Sequence, residues 1–130
     1  KNKVKIINDV SEDIKVQALP SYLDSVIYNM LTNAIKYRSE ERESLVKIFC
    51  KKEDDSVVLA FQDNGLGIDL DLYGSKLFGM YQTFHSNKDS VGLGLFITKS
   101  QIEEMGGSIE ITSSVEVGTT FKIRLPYGKN

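Results

Sequence analysis

Leu23, Val26, Ile27, Met30, Leu31, Ala34 and Ile35 recur at three- and four-residue intervals. That spacing keeps one apolar face turned the same way for about four helical turns. A helix with one apolar face has to bury it against a second layer. Further on, LVKIFCKKE (45–53) and SVVLAFQ (56–62) switch to strand-like runs around Asp54–Asp55, which predicts a hairpin. A helix that needs cover and a hairpin that can supply it predict a helix-on-sheet fold.

The remaining segments extend this frame. VKIIND (4–9) predicts a short strand, and Pro20 with Ser21 marks the helix start, with Asp24 as a capping-box-like acid three residues after Ser21. The polar run RSEERES (38–44) reads as the exit loop. GLGLFITKSQIEEM (92–105) predicts a second long helix, stopped by Gly106–Gly107. SIEITSS and TTFKIRLP predict two closing strands joined around Gly118. The expected fold is α+β: a two-layer α/β sandwich with a mixed sheet of about five strands and about three helices on one face. The other face is expected to carry Lys47, Glu110 and Lys122.

A chain of 130 residues suits one domain over residues 1–130, large enough for a sizeable core. The net charge of −2 and pI near 5.4 argue against a broad nucleic-acid surface. No apolar run approaches the roughly 18 residues of a membrane span, so no direct membrane insertion of this domain is expected. The chain starts at Lys1 without a Met and reads as a piece of a longer protein. One cysteine, Cys50, cannot form an internal disulfide; it fits a reducing, cytoplasmic setting and plain packing.

The helix carries an irregularity. Asparagine is disfavoured in helix interiors, yet Asn29, Asn33 and Lys36 fall within roughly 60° of one another at 100° per residue. Their arc lies beside the apolar stripe, where side chains can line a pocket. An amide oxygen suits Mg²⁺, and a lysine one turn on suits phosphate. The plain alternative is local backbone bonding by the asparagines and a solvated lysine. Two glycine-rich segments add weight. DNGLGID (63–69) directly follows a predicted strand, and SVGLGLF (90–96) leads into a helix N-terminus. Neither is a P-loop or a dinucleotide fingerprint.

In order, YNMLTNAIKY resembles the asparagine box, DNGLGI the first glycine box, KLFGMYQTFH the phenylalanine box, VGLGLFITK the second glycine box and VGTTF the last. The chain thereby resembles the catalytic ATP-binding domain of sensor histidine kinases. That domain has the Bergerat fold and is shared with gyrase, a heat-shock chaperone ATPase and a mismatch-repair ATPase. The resemblance implies that Asn33 binds Mg²⁺, with Asn29 on phosphate or metal, Lys36 on phosphate and Tyr37 on sugar or base. Asp63 would take the adenine amino group, Gly65, Gly67 and Ile68 would shape the pocket, and Thr119 would support the adenine edge. Leu77, Phe78, His85, Lys88, Gly92, Leu93, Gly94 and Leu95 would complete the nucleotide contacts. Residues 70–91 would form a lid over ATP. Asn29, Asn33 and Lys36 are the expected catalytic set.

Three departures stand out. Ser90 occupies the position where the second glycine box usually begins. No arginine occurs between Arg42 and Arg124, leaving Lys76, His85 or Lys88 as the basic lid contact; for His85 lid packing is the alternative. No acceptor-histidine motif is present, so a helical dimerisation and phosphoacceptor domain is expected upstream, with a response regulator downstream. Asn29 stands where hydrolytic relatives usually carry a water-activating glutamate, and an amide cannot take that proton. The expected activity is therefore transfer of the γ-phosphoryl group of Mg-ATP to a histidine. An ATPase or serine kinase of the same superfamily, or a non-catalytic nucleotide-binding module, remains the alternative.

Overall fold

The computed structural model describes residues 4–9, 18–73 and 93–127. Among them the elements run β1 (Val4–Asp9), α1 (Pro20–Lys36), β2 (Ser44–Glu53), β3 (Ser56–Asp63), α2 (Leu70–Tyr73), α3 (Leu93–Glu104), β4 (Ser108–Ser114) and β5 (Gly118–Pro126). The strands form one five-stranded sheet in the order β1-β2-β3-β5-β4. β1 pairs parallel to β2, and every other pair is antiparallel. The predicted mixed sheet and the predicted hairpin are both present.

The hairpin closes with Glu53 opposite Ser56, and Asp54 takes a left-handed φ of 55°. Aspartate tolerates this region because its short polar side chain bonds locally. α1 starts at Pro20 as predicted, but without the predicted cap. Its N-cap is Leu19, no side chain caps it, and Pro20 sits in the first turn. Ser21 is already helical, so the Ser21–Asp24 capping box does not form. Proline stands in for a cap here, since it removes one of the orphan N–H groups and presets φ. α3 ends as predicted. Gly106, at φ 83°, donates to the Glu103 carbonyl at 3.0 Å, and Gly107 donates to that of Ile102 at 2.9 Å. These are the two bonds of a Schellman stop.

α1 and α3 pack on one face of the sheet. Val26 and Met30 from α1, Leu95, Ile102 and Met105 from α3 and its end, and Phe61, Phe121, Ile123 and Leu125 from the central strands make the core. Val26, Ile102 and Ile123 are fully buried. The other sheet face carries exposed Lys47, Glu110 and Lys122, as the strand alternation predicts, with Glu110 directly opposite Lys122. Val58 and Ala60 are buried on that second face as well. Their cross-strand partners are Lys51, Phe49, Arg124 and Lys122. The long stems of such side chains can lie over apolar surface while their charged ends stay in water.

Candidate functional site

The end of β3, the end of α1 and the start of β5 converge at one edge of the sheet. Asp63 closes β3 on the helix-covered face, opposite Val46 on one side and Thr119 on the other. Its Oδ1 accepts hydrogen bonds from the Gly65 N–H at 2.9 Å and the Thr119 N–H at 3.3 Å. Oδ2 accepts none among the described residues. Burial pushes the Asp63 carboxyl above the usual aspartate range, and the two N–H donors offset this only in part.

Glycine is required three times here by close approach. Gly67 has φ 76°, and a Cβ there would strike the carbonyl of Ser114. Gly118 has φ 147°, and its Cβ would strike the carbonyl of Asp63. Any side chain at Gly118 would push β5 away from the end of β3 and break the Thr119–Asp63 bond. At Gly65 a Cβ would lie 2.6 Å from the Tyr37 carbonyl oxygen. That carbonyl accepts from the Leu66 N–H at 2.9 Å, so the glycine loop lies flat against the end of α1.

A small cavity results, lined by Asn33, Tyr37, Asp63, Gly67, Ile68, Leu95, Thr119 and Phe121. Its volume is about 20 Å³, room for about one water. Polar groups from α1, β3 and β5 face apolar walls from the glycine loop and α3. The Asn33 amide has no hydrogen-bond partner among the described residues. Asn29, one turn earlier, is held differently: its Nδ2 donates to Thr98 Oγ1 on α3 at 3.0 Å. Thr98 is fully buried. Lys36 is exposed at the end of α1 and does not line the cavity.

The predicted set thus divides. Asn33, Tyr37, Asp63, Gly67, Ile68, Leu95 and Thr119 meet at the cavity, Gly65 shapes the loop beside it, and Asn29 and Lys36 flank it on α1. Leu93 and Gly94 open α3. Lys76, Leu77, Phe78, His85, Lys88, Ser90 and Gly92 lie outside the described residues, as does the predicted lid beyond Tyr73.

Three contributors were not singled out from the sequence. Thr98 is one, although it lies within the VGLGLFITK segment, and it accepts from Asn29. Ser113 Oγ lies 2.7 Å from Thr119 Oγ1, donates to the Gly118 carbonyl at 2.9 Å and accepts from the Ile68 N–H at 2.7 Å. It locks β4, β5 and the glycine loop together. Its place on the covered face of β4, opposite Thr119, was the available signal. Arg42 lies in what reads as a plain exit loop, yet donates to the carbonyls of Asn64 and Gly65, each at 2.7 Å. Asn64 in turn bonds the start of β2 through Leu45 N–H at 2.9 Å and the Glu43 carbonyl at 2.8 Å.

Residues 18–129 match the family model described as histidine kinase-, DNA gyrase B-, and HSP90-like ATPase. The sensor protein RprX of Bacteroides fragilis is 32% identical over 113 residues, covering 84% of this chain and 22% of its own length. The sensor protein SrrB of Staphylococcus aureus is 36% identical over 107 residues, covering 80% and 18%. The chain therefore spans about a fifth of the length of these curated relatives. Among solved structures, a mycobacterial sensor histidine kinase, MprB, shares the fold with a TM-score of 0.84 at 23% identity, over 98% of this chain and 86% of that one.

Proposed function

The chain belongs to the histidine kinase-, DNA gyrase B-, and HSP90-like ATPase family and is homologous to sensor histidine kinase catalytic domains, and from that premise we propose that it holds Mg-ATP at the Asp63 cavity and delivers the γ-phosphoryl group to a histidine on a separate dimerisation domain. The observation that carries the reading is the convergence of Asp63, Asn33, Tyr37 and Thr119 on one cavity from three elements. Asp63 presents a carboxylate oxygen with no partner among the described residues, in a half-buried setting. Such an acceptor suits the amino group of adenine, and leaving it unpaired against a wrong base is costly. Thr119 sets the adjoining edge, with its hydroxyl fixed by Ser113.

The residues fit a magnesium ion. Asn33 lines the cavity with an amide oxygen unengaged among the described residues, and Mg²⁺ takes few protein ligands beside water and phosphate oxygens. Bound there, the ion would neutralise charge on the phosphates. Lys36, exposed at the helix end, would add a second positive charge. Asn29 supplies no base for water, which directs the phosphoryl group to an acceptor brought by another domain. That domain, a downstream response regulator and a cytoplasmic setting complete the proposal. No helix among the described residues is long and apolar enough to cross a membrane.

Two measurements test it together. Calorimetry on Asn33→Ala should show Mg²⁺-dependent affinity lost while metal-free nucleotide binding persists. A radiolabel transfer assay with a separately made dimerisation domain should label its histidine, while the chain alone turns over ATP far more slowly than the ~1 s⁻¹ of slow ordinary enzymes. Hydrolysis at that rate by the chain alone, or ATP binding without transfer, would overturn the kinase reading.

A further inference from the structure

We infer that Arg42 is a positioning residue for the Asp63 carboxylate, acting through the peptide unit that joins Asn64 to Gly65. The inference rests on the proposed reading of the Asp63 cavity as the adenine site, and it can be tested apart from that reading.

The geometry is a relay. Arg42 Nε donates to the Asn64 carbonyl at 2.7 Å, and Nη2 donates to the Gly65 carbonyl at 2.7 Å. The Asn64 carbonyl and the Gly65 N–H belong to one planar peptide. That N–H donates to Asp63 Oδ1 at 2.9 Å. A guanidinium on the carbonyl end of a peptide polarises it and makes its N–H a stronger donor at the other end. Arg42 therefore favours the ionised carboxylate without touching it.

The alternative partners of Arg42 sharpen the point. Glu40, Glu41 and Glu43 surround it in sequence, yet among the described residues its guanidinium pairs with no carboxylate. Its planar fork is spent on two consecutive carbonyls of the glycine loop, a geometry that lysine cannot reproduce. The same fork fixes the loop whose opposite side lies on the Tyr37 carbonyl. Both orientation and charge of the adenine acceptor then depend on a residue outside every sequence motif.

Among the described residues Tyr37 from the end of α1 is the other titratable residue lining this cavity, Lys47 of β2 lines a second cavity that Asp63 also borders, the α3 and glycine-loop walls are apolar through Leu95 and Ile68, and β5 contributes the Thr119 N–H. Burial raises the Asp63 carboxyl, while the Gly65 N–H works against that rise.

The experiment uses Arg42→Gln and Arg42→Lys in the full chain. The Asp63 side-chain carboxyl is titrated by carbon NMR without nucleotide, and ADP affinity is measured by calorimetry. Arg42→Gln should raise the Asp63 pKa further and weaken ADP about tenfold. Arg42→Lys should fall between wild type and Gln, since it keeps the charge but not the fork. An Asp63 titration unchanged in Arg42→Gln overturns the inference, even if affinity falls, because Arg42 would then hold the loop and nothing more. A raised Asp63 pKa in a chain that binds no adenine nucleotide at all would uphold the relay and sink the proposed adenine site instead.

Discussion

Asn29 and Asn33 sit one turn apart on α1 and meet different fates: Asn29 is bonded to a buried threonine of α3, and Asn33 lines the cavity with its amide unengaged among the described residues. Removing the Thr98 hydroxyl as Thr98→Val leaves a half-buried amide N–H without that acceptor, which costs about 1–3 kcal/mol. A double-mutant cycle with Asn29→Ala should return a coupling of about 1 kcal/mol in urea unfolding, and Thr98→Ser should stay close to wild type. Additive losses would mean the bond contributes nothing of its own. Asp63 makes the opposite kind of prediction. Its folded pKa is raised, because burial disfavours the charged carboxylate. Stability from this group therefore falls as pH rises through the folded pKa, because the native state binds the proton more tightly than the unfolded chain. Asp63→Asn keeps an oxygen for the Gly65 and Thr119 donors and removes the charge. Without nucleotide it should melt higher than wild type at pH 7–8, with the gap closing as pH falls through the folded pKa toward the usual aspartate value. The same variant should bind ATP more weakly, since an acceptor has become partly a donor.

At the scale of elements, α3 is held at one end by its Schellman stop. Gly106 takes φ 83° there, so Gly106→Ala should cost about 1 kcal/mol in chemical unfolding without altering nucleotide affinity. The start of α3 matters more to function. The cavity holds about one water, so a purine ring enters only if a wall yields. Asp63, Thr119 and Phe121 are fixed in the ladder, and Tyr37 is tied by the Leu66 bond. Leu95 lies one turn before the Thr98–Asn29 bond, in the first turns of α3. Hydrogen exchange with and without a non-hydrolysable ATP analogue should therefore change at residues 95–98 and stay unchanged at 119–123. Equal change in both segments would contradict a sheet-anchored pocket with one moving wall.

For the whole molecule, stability rests on the shared core. The ion pairs among the described residues, Lys51–Glu53, Lys99–Glu103 and Arg124–Glu53, are all on partly or well exposed side chains. Exposed pairs contribute little and are screened by salt. Raising NaCl to about 0.5 M, where the Debye length is below the ~8 Å of physiological salt, should leave the urea midpoint nearly unmoved. Ile123→Ala, by contrast, hollows the fully buried centre of β5 and should cost about 3 kcal/mol. A large salt effect with a small Ile123 effect would mean that surface charge, and not the core, dominates stability.

The sequence by itself determined the elements and the motif positions. Apolar spacing on α1 and the break at Asp54–Asp55 are local signals, set by the periods of helix and strand, and they transfer directly to structure. The cavity set around Asn33, Asp63 and Thr119 was legible because each residue sits in a short motif at an element end. The start of α1 at Pro20 was legible too, but its lack of a cap was not, because a serine followed three residues later by an acid looks like a cap from the side-chain pattern alone, whereas Pro20 in the first turn begins the helix without one. Strand order, with β5 inserted between β3 and β4, was decided only in three dimensions, because pairing across long separations leaves no local trace. The same reason hid Thr98, Ser113 and Arg42. Each acts through hydrogen-bonded neighbours 5 to 69 positions away, and only the packed sheet and helices bring those partners within reach.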